Sequence, residues 1–190
     1  MPLTNVSRRA FRWPPPVECV VREVVKTVRG MTNTETPKFW TTTHASSACD
    51  TWATPRDLWA RLDQEFHFGL DAAALRSSTL VPGNWYGPDH RRRARRDALA
   101  CSWHADTSEA VWLNPPYARN VTGRFMAKAL EESRAGLTVV CLVPVRTDTR
   151  WWHETVIDAD AEVRWLRGRL KFGAATTPAP FPSALVIYRG

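Results

Sequence analysis

Asn114-Pro115-Pro116-Tyr117 is the stretch whose residue types and spacing most directly suggest chemistry. A side-chain carboxamide followed at once by two prolines presents two neighbouring acceptors, the Asn114 side-chain oxygen and the Pro115 carbonyl. The prolines lock φ near about −65° and hold those acceptors still. Tyr117 adds an aromatic face on which a planar base can stack. This set suits methyl transfer to an exocyclic nitrogen on a planar ring. Such an amine is a poor nucleophile, because its lone pair is delocalised into the ring. Two fixed acceptors draw both N–H bonds out of plane and free the lone pair for in-line attack on the methyl of a sulfonium cofactor. No metal and no covalent enzyme intermediate is needed. The same residues can also form a plain strand-ending turn, since two prolines stop a strand and a tyrosine can cover a core edge.

The elements that must position this loop are legible on both sides of it. Ala110 to Leu113 is a strand running straight into Asn114, and Val121 to Ser133 is a helix with Phe125, Met126, Ala129 and Leu130 on one side. Leu137 to Val143 is an apolar, β-branched run bounded by Gly136 and Pro144, the pattern of a buried strand. Upstream, Thr54 reads as an N-cap, Pro55 as the first helical residue and Asp57 as a first-turn acid, with Leu58, Leu62 and Phe66 as the apolar stripe. Phe66 to Leu70 reads as a strand ending at Asp71, and residues 82–97 as a Gly/Pro/Arg-rich loop. A helix near Thr149 to Ile157 and strands at Val163 to Leu166 and Ala184 to Tyr188 complete the chain, with a long loop from Lys171 to Pro182. Strands alternating with helices predict βαβ units and a three-layer α/β fold. Ligands in such sheets sit beyond the carboxyl ends of the strands. Asp71, Asn114 and Pro144 each fall at or just past a predicted strand end, so they are expected on one sheet edge.

Composition sets the frame. The 190 residues are 44% hydrophobic and 24% charged, enough for a core and unlike a disordered, collagenous or coiled-coil chain. No apolar run approaches a membrane span and no signal peptide is visible, so a cytoplasmic location is expected. Cys19, Cys49, Cys101 and Cys141 are scattered and the histidines are isolated, so neither a disulfide framework nor a zinc site is indicated. The net charge of +7 makes a polyanion a plausible partner, or serves solubility alone. Residues 1–48 hold the Pro14-Pro15-Pro16 run and seven basic residues against three acidic ones. They are read as a mostly disordered basic tail, leaving 49–190 as the folded domain.

Residues 44–190 resemble the small DNA N6-adenine methyltransferases of phages and prophages. The matching stretches, in order, are His44-Ala45-Ser46-Ser47, Trp52-Ala53-Thr54-Pro55, Phe68-Gly69-Leu70-Asp71-Ala72-Ala73-Ala74, Asp97-Ala98-Leu99, Trp103, Asn114-Pro115-Pro116-Tyr117, Pro144-Val145-Arg146-Thr147-Asp148-Thr149, Gly168-Arg169-Leu170-Lys171-Phe172 and Phe181-Pro182-Ser183-Ala184. The resemblance implies a Rossmann-like class I methyltransferase fold, with a mostly parallel sheet and helices on both faces. It also implies S-adenosylmethionine as cofactor and adenine in duplex DNA as target, flipped out of the helix. Asn114, Pro115, Pro116 and Tyr117 match the family's catalytic loop. Thr54 and Pro55 match the motif that touches the cofactor's carboxylate, a role compatible with a helix start. Asp71, Ala72 and Ala73 stand where a Gly-rich cofactor loop would normally be, with Asp71 as an ordinary turn residue the alternative. Asp97 either contacts the cofactor's adenosine or is a surface acid. No Gly-x-Gly follows the first strand, and no acidic ribose-binding residue can be placed. Residues 1–30 precede the resemblance and are expected to be dispensable.

The run around Arg91 to Arg96, with Trp85 and Tyr86 nearby, is either a solvated charged face or a phosphate grip. Arg92, Arg93, Arg95 and Arg96 are the candidates for DNA contact. Arg146, Asp148 and Trp151 are expected on the DNA side of the cleft, and one of Trp151 and Trp152 in the core. The gaps around the loop leave no room for a recognition domain, so loops must read a short site, and a monomer is expected. Competing readings are methylation of cytosine N4, of guanine N2 in ribosomal RNA or of a protein glutamine, and a catalytically silent Rossmann-like DNA-binding protein.

Overall fold

The computed structural model describes residues 52–190. The expected tail of residues 1–48, its boundary at 49 and the His44–Ser47 stretch lie outside the described residues. Helix α1 spans Arg56–Phe66, followed by strand β1, Phe68–Asp71. A long connection carries short 3-10 turns at Arg93–Arg95 and Trp103–Ala105 into β2, Ala110–Leu113. Then come α2, Thr122–Arg134, and β3, Val139–Pro144. A short helix α3, Arg150–Trp152, runs on as a π-helical turn, His153–Ile157. Strands β4, Glu162–Trp165, and β5, Ser183–Tyr188, end the chain.

The five strands form one mixed sheet in the order β1-β2-β3-β5-β4. β1, β2 and β3 are mutually parallel, whereas β5 runs antiparallel to both β3 and β4. The expectation of a mostly parallel sheet therefore holds for β1 to β3 and fails at β5. The reason is the connection: residues 166–182 contain no helix to carry the chain back across the sheet, and parallel strands require such a crossover. At the start of β1 the register slips between Phe68 and Leu70. Gly69 sits in that slip, where an added Cβ would collide with the Thr107 hydroxyl.

Alternation along the strands sorts the core into two layers. Leu70, Val111, Leu113, Val139, Cys141, Val143, Ala184 and Val186 face Phe125, Met126 and Ala129 of α2 and Trp152 and Val156 around α3. Phe68, Ala110, Trp112, Val140, Leu142, Leu185 and Ile187 face Leu58 and Leu62 of α1. Helices thus cover both faces, as the sequence predicts. β3 and β5 are buried along their whole length, which accounts for their uninterrupted apolar runs. Of the two tryptophans on α3, Trp152 is buried in the core and Trp151 is half-buried. No helix among the described residues is long and apolar enough to cross a membrane.

Candidate active site

Because β1, β2 and β3 are parallel and adjacent, Asp71, Asn114 and Pro144 all lie at one edge of the sheet. The Asn114–Tyr117 loop leaves β2 there. Asn114 Nδ2 donates to the Trp52 carbonyl at 2.9 Å and to the Thr54 hydroxyl at 3.1 Å. Those two bonds occupy both amide hydrogens and fix the direction of the carboxamide. Its other end, Oδ1, is buried and has no hydrogen-bond partner. A buried acceptor left unpaired is costly and rare in folded proteins, so this one needs a reason.

The loop's aromatic residue is held in a cage. The Tyr117 ring lies 6.1 Å from Trp52, 6.0 Å from Phe172 and 5.6 Å from Phe181, centroid to centroid. Trp52 in turn lies 5.2 Å from Phe172 and 4.9 Å from Phe181. The Tyr117 hydroxyl donates to the Leu142 carbonyl of β3 at 3.0 Å, and burial pushes its pKa well above the usual tyrosine value. The phenol therefore stays protonated, and its ring presents an aromatic wall. Trp52, Phe172 and Phe181 have no assigned role from the sequence alone. Their signal there is that each falls within a stretch that carries the family resemblance.

Two clefts flank the loop. The first, about 390 Å³, is lined by Ala53, Thr54, Pro55, Arg56, Ser77, Ser78, Leu80, Gly173 and Ala174. It opens at the start of α1, where no side chain caps the first-turn amides. Pro55 stands just outside the helix rather than at its first position, and the Thr54 hydroxyl points to Asn114 instead of capping. The second cleft, about 670 Å³, runs from Tyr117, Arg119, Gly123 and Arg124 across to Arg146, Asp148, Arg150 and Trp151. Gly123 makes room for the Trp151 side chain, whose Cβ would lie 2.7 Å from a Cβ at that position.

Asp71, Ala72 and Ala73 are beside the site but are tied up in the fold. The Asp71 carboxylate accepts from the backbone of Leu80 at 3.0 Å and of Ala73 at 3.4 Å. Burial pushes its pKa up to about 6, with those two donors pulling the other way. The Ala72 amide bonds to the Trp112 carbonyl, and Ala72 is fully buried. Asp97 accepts from the Leu99 amide at 3.0 Å, an Asx turn in the connection.

The arginine run divides. Arg92 and Arg93 are exposed. Arg95 donates to Asn84 Oδ1 at 2.5 Å and ion-pairs with Asp106, which also accepts from the Tyr86 hydroxyl. The Arg96 Nε donates to the His90 carbonyl at 2.8 Å. Arg146 and Asp148 are exposed on the second cleft, with Trp151 half-buried between them and α2.

A family model described as DNA N-6-adenine-methyltransferase (Dam) matches residues 41–184. The chain belongs to that family. It is also similar to a DNA N-6-adenine-methyltransferase of Escherichia phage T1, 30% identical over 122 residues. The matched stretch is 64% of this chain and 46% of the phage protein, so the chain spans less than half of that relative. No solved structure matches. The family match takes in Trp52, Thr54, the Asn114–Tyr117 loop, Phe172 and Phe181.

Proposed function

We propose that this chain transfers a methyl group from S-adenosylmethionine to the N6 amino group of adenine in double-stranded DNA, acting on a base flipped from the duplex. The observation that carries the reading is the buried, unpartnered Oδ1 of Asn114, aimed by two hydrogen bonds on the opposite end of the same amide. An exocyclic amine supplies the donor that this oxygen lacks. The Pro115 carbonyl accepts the amine's second N–H, and the aromatic cage flanks the ring. Asn114 gains most as positive charge develops on the nitrogen, so its fixed dipole favours the transition state over the ground state.

The first cleft fits the cofactor. Uncapped amides at the start of α1, the Arg56 guanidinium and the Ser77 and Ser78 hydroxyls suit a carboxylate. Thr54 and Pro55 would hold it there, whereas Asp71, Ala72 and Ala73, at the end of β1, do not line this cleft. When bound, S-adenosylmethionine supplies an electrophilic methyl on a sulfonium. Asp97 sits in a tight turn and is the weakest member of the cofactor set.

DNA contact is proposed for the second cleft, through Arg146, Asp148 and Trp151, and for the exposed Arg92 and Arg93. Arg96 keeps capacity for a phosphate beyond its one backbone bond, whereas Arg95 is committed to Asn84 and Asp106. Three parallel strands with the candidate-site loops at their carboxyl edge support a Rossmann-like methyltransferase core. The test is chemical: DNA from cells expressing the chain is digested and its nucleosides are separated. N6-methyladenine is expected; N4-methylcytosine alone, or no modified base, would defeat the reading.

A further inference from the structure

Among the described residues, three buried side-chain polar atoms lack partners: Trp59 Nε1, Asn114 Oδ1 and Ser183 Oγ. Trp59 is on α1 and packs on Phe68, at the start of β1 and hence at the opposite edge of the sheet. The other two lie at the same edge. β5 begins at Ser183, which pairs with Pro144 where β3 ends. They also share a face. Leu185 and Ile187, two and four residues beyond Ser183 on β5, belong to the layer under α1, so Ser183 points to that side. Asn114 reaches Trp52 and Thr54 on the same side. Between them is β3, where Leu142 holds the Tyr117 hydroxyl, and Phe181, two residues before Ser183, forms one wall of the cage. An unpaired polar atom from β2 and another from β5 thus lie on the same face of this sheet edge as the aromatic cage.

We infer that Ser183 contacts the target base, its hydroxyl donating to a ring nitrogen of the adenine whose amino group Asn114 accepts. This rests on the adenine-methylation reading above. Asn114 offers only an acceptor, which suits any exocyclic amine. A hydroxyl on the far side of β3 adds a second point of recognition, away from the amine. A site built to hydrogen-bond a ring nitrogen leaves its hydroxyl unpaired when that nitrogen is missing, and so penalises the analogue. Ser183 is 2% exposed, so the base reaches it only when the residues that cover it move aside.

The test uses the full chain and a duplex carrying a site mapped in the DNA that the chain methylates. Single-turnover transfer is measured for the parent and Ser183→Ala on adenine and on 1-deaza-, 3-deaza- and 7-deazaadenine at the target position. On adenine, Ser183→Ala is expected to be slower by about tenfold, the effect of one hydrogen bond. One deaza analogue should slow the parent by a similar factor and leave Ser183→Ala no slower than it is on adenine. A Ser183→Ala rate equal to the parent's would overturn the inference. So would equal sensitivity of the two proteins to every analogue, or a parent indifferent to all three, a result that does not depend on the variant folding. If the parent makes N6-methyladenine and these patterns fail, Ser183 alone is misassigned. If the parent makes none, both readings fall.

Discussion

In the proposed reaction Asn114 does two jobs with opposite ends of one amide. Its nitrogen is held by Trp52 and Thr54, and that frees its oxygen to meet a ligand in a fixed direction. Thr54 is then a positioning residue as well as a wall of the first cleft. Thr54→Val is expected to slow methyl transfer about tenfold, the worth of one hydrogen bond, and Thr54→Ser to restore it. Equal rates for Val and Ser would remove Thr54 from the positioning role. Tyr117 separates in the same way into hydroxyl and ring. Tyr117→Phe loses only the bond to the Leu142 carbonyl and should cost about 0.5–1.5 kcal/mol of stability, read by denaturant titration, with transfer largely kept. Tyr117→Ala removes a wall of the cage and should weaken capture of the flipped base by about 1–3 kcal/mol. The Asn-Pro-Pro-Tyr loop is legible in the sequence because its chemistry is local: four consecutive residues carry both acceptors and a ring. Trp52, Phe172 and Phe181 are not, because they converge on Tyr117 only after α1, β3 and β5 have been placed.

Among the elements, the strand leading into the loop can be read to the residue, since Ala110 to Leu113 is short, apolar and stopped by prolines. Strand direction cannot. β3 and β5 are both wholly buried apolar runs, and nothing in that pattern distinguishes a parallel neighbour from an antiparallel one. The start of α1 falls one residue later than its capping pattern predicts, because the Thr54 hydroxyl has a tertiary partner that outcompetes its own helix. Asp71, at the end of β1, links the sheet edge to pH. Its folded pKa is raised above the unfolded value, so the stability it contributes is fully present below about 4 and is lost as pH rises through about 6. Asp71→Asn removes that loss. Relative to the parent, the variant should gain up to about 3 kcal/mol between about pH 4 and pH 7, measured by denaturant midpoints. A difference that stays flat across that window would show the carboxyl to be ordinary.

Across the whole molecule, the positive charge expected to meet DNA is not one patch. The sequence allows the arginine run to be a phosphate grip or a charged face; in the structure Arg92 and Arg93 are exposed, whereas Arg95 and Arg96 are bonded within the fold. Arg95 closes a network of Asn84, Tyr86 and Asp106 that fastens the long connection between β1 and β2. Arg95→Ala should therefore lower stability by about 1–3 kcal/mol, as expected when a half-buried partner is orphaned. Arg119 and Arg146, on either side of the second cleft, should act on binding instead. Changing both to Ala should weaken binding to every duplex alike and flatten the salt slope by roughly 0.9 for each phosphate no longer neutralised. An unchanged slope would place the cleft away from the phosphates.

On the proposed reading, catalysis at this sheet edge turns on one atom, the orphaned oxygen of Asn114, as the acceptor for the amine to be methylated. Single-turnover transfer of a labelled methyl group to duplex DNA, by the parent, Asn114→Ala and Asn114→Asp, interrogates that atom alone. Asn114→Ala should fold and bind cofactor, yet transfer about 10²–10³-fold more slowly, the loss of one preorganised transition-state partner. Asn114→Asp keeps an acceptor oxygen but sets a second oxygen against the Trp52 carbonyl, so its rate should fall between the two. Transfer by Asn114→Ala at the parental rate would strip the oxygen of its role and reduce the loop to a structural turn.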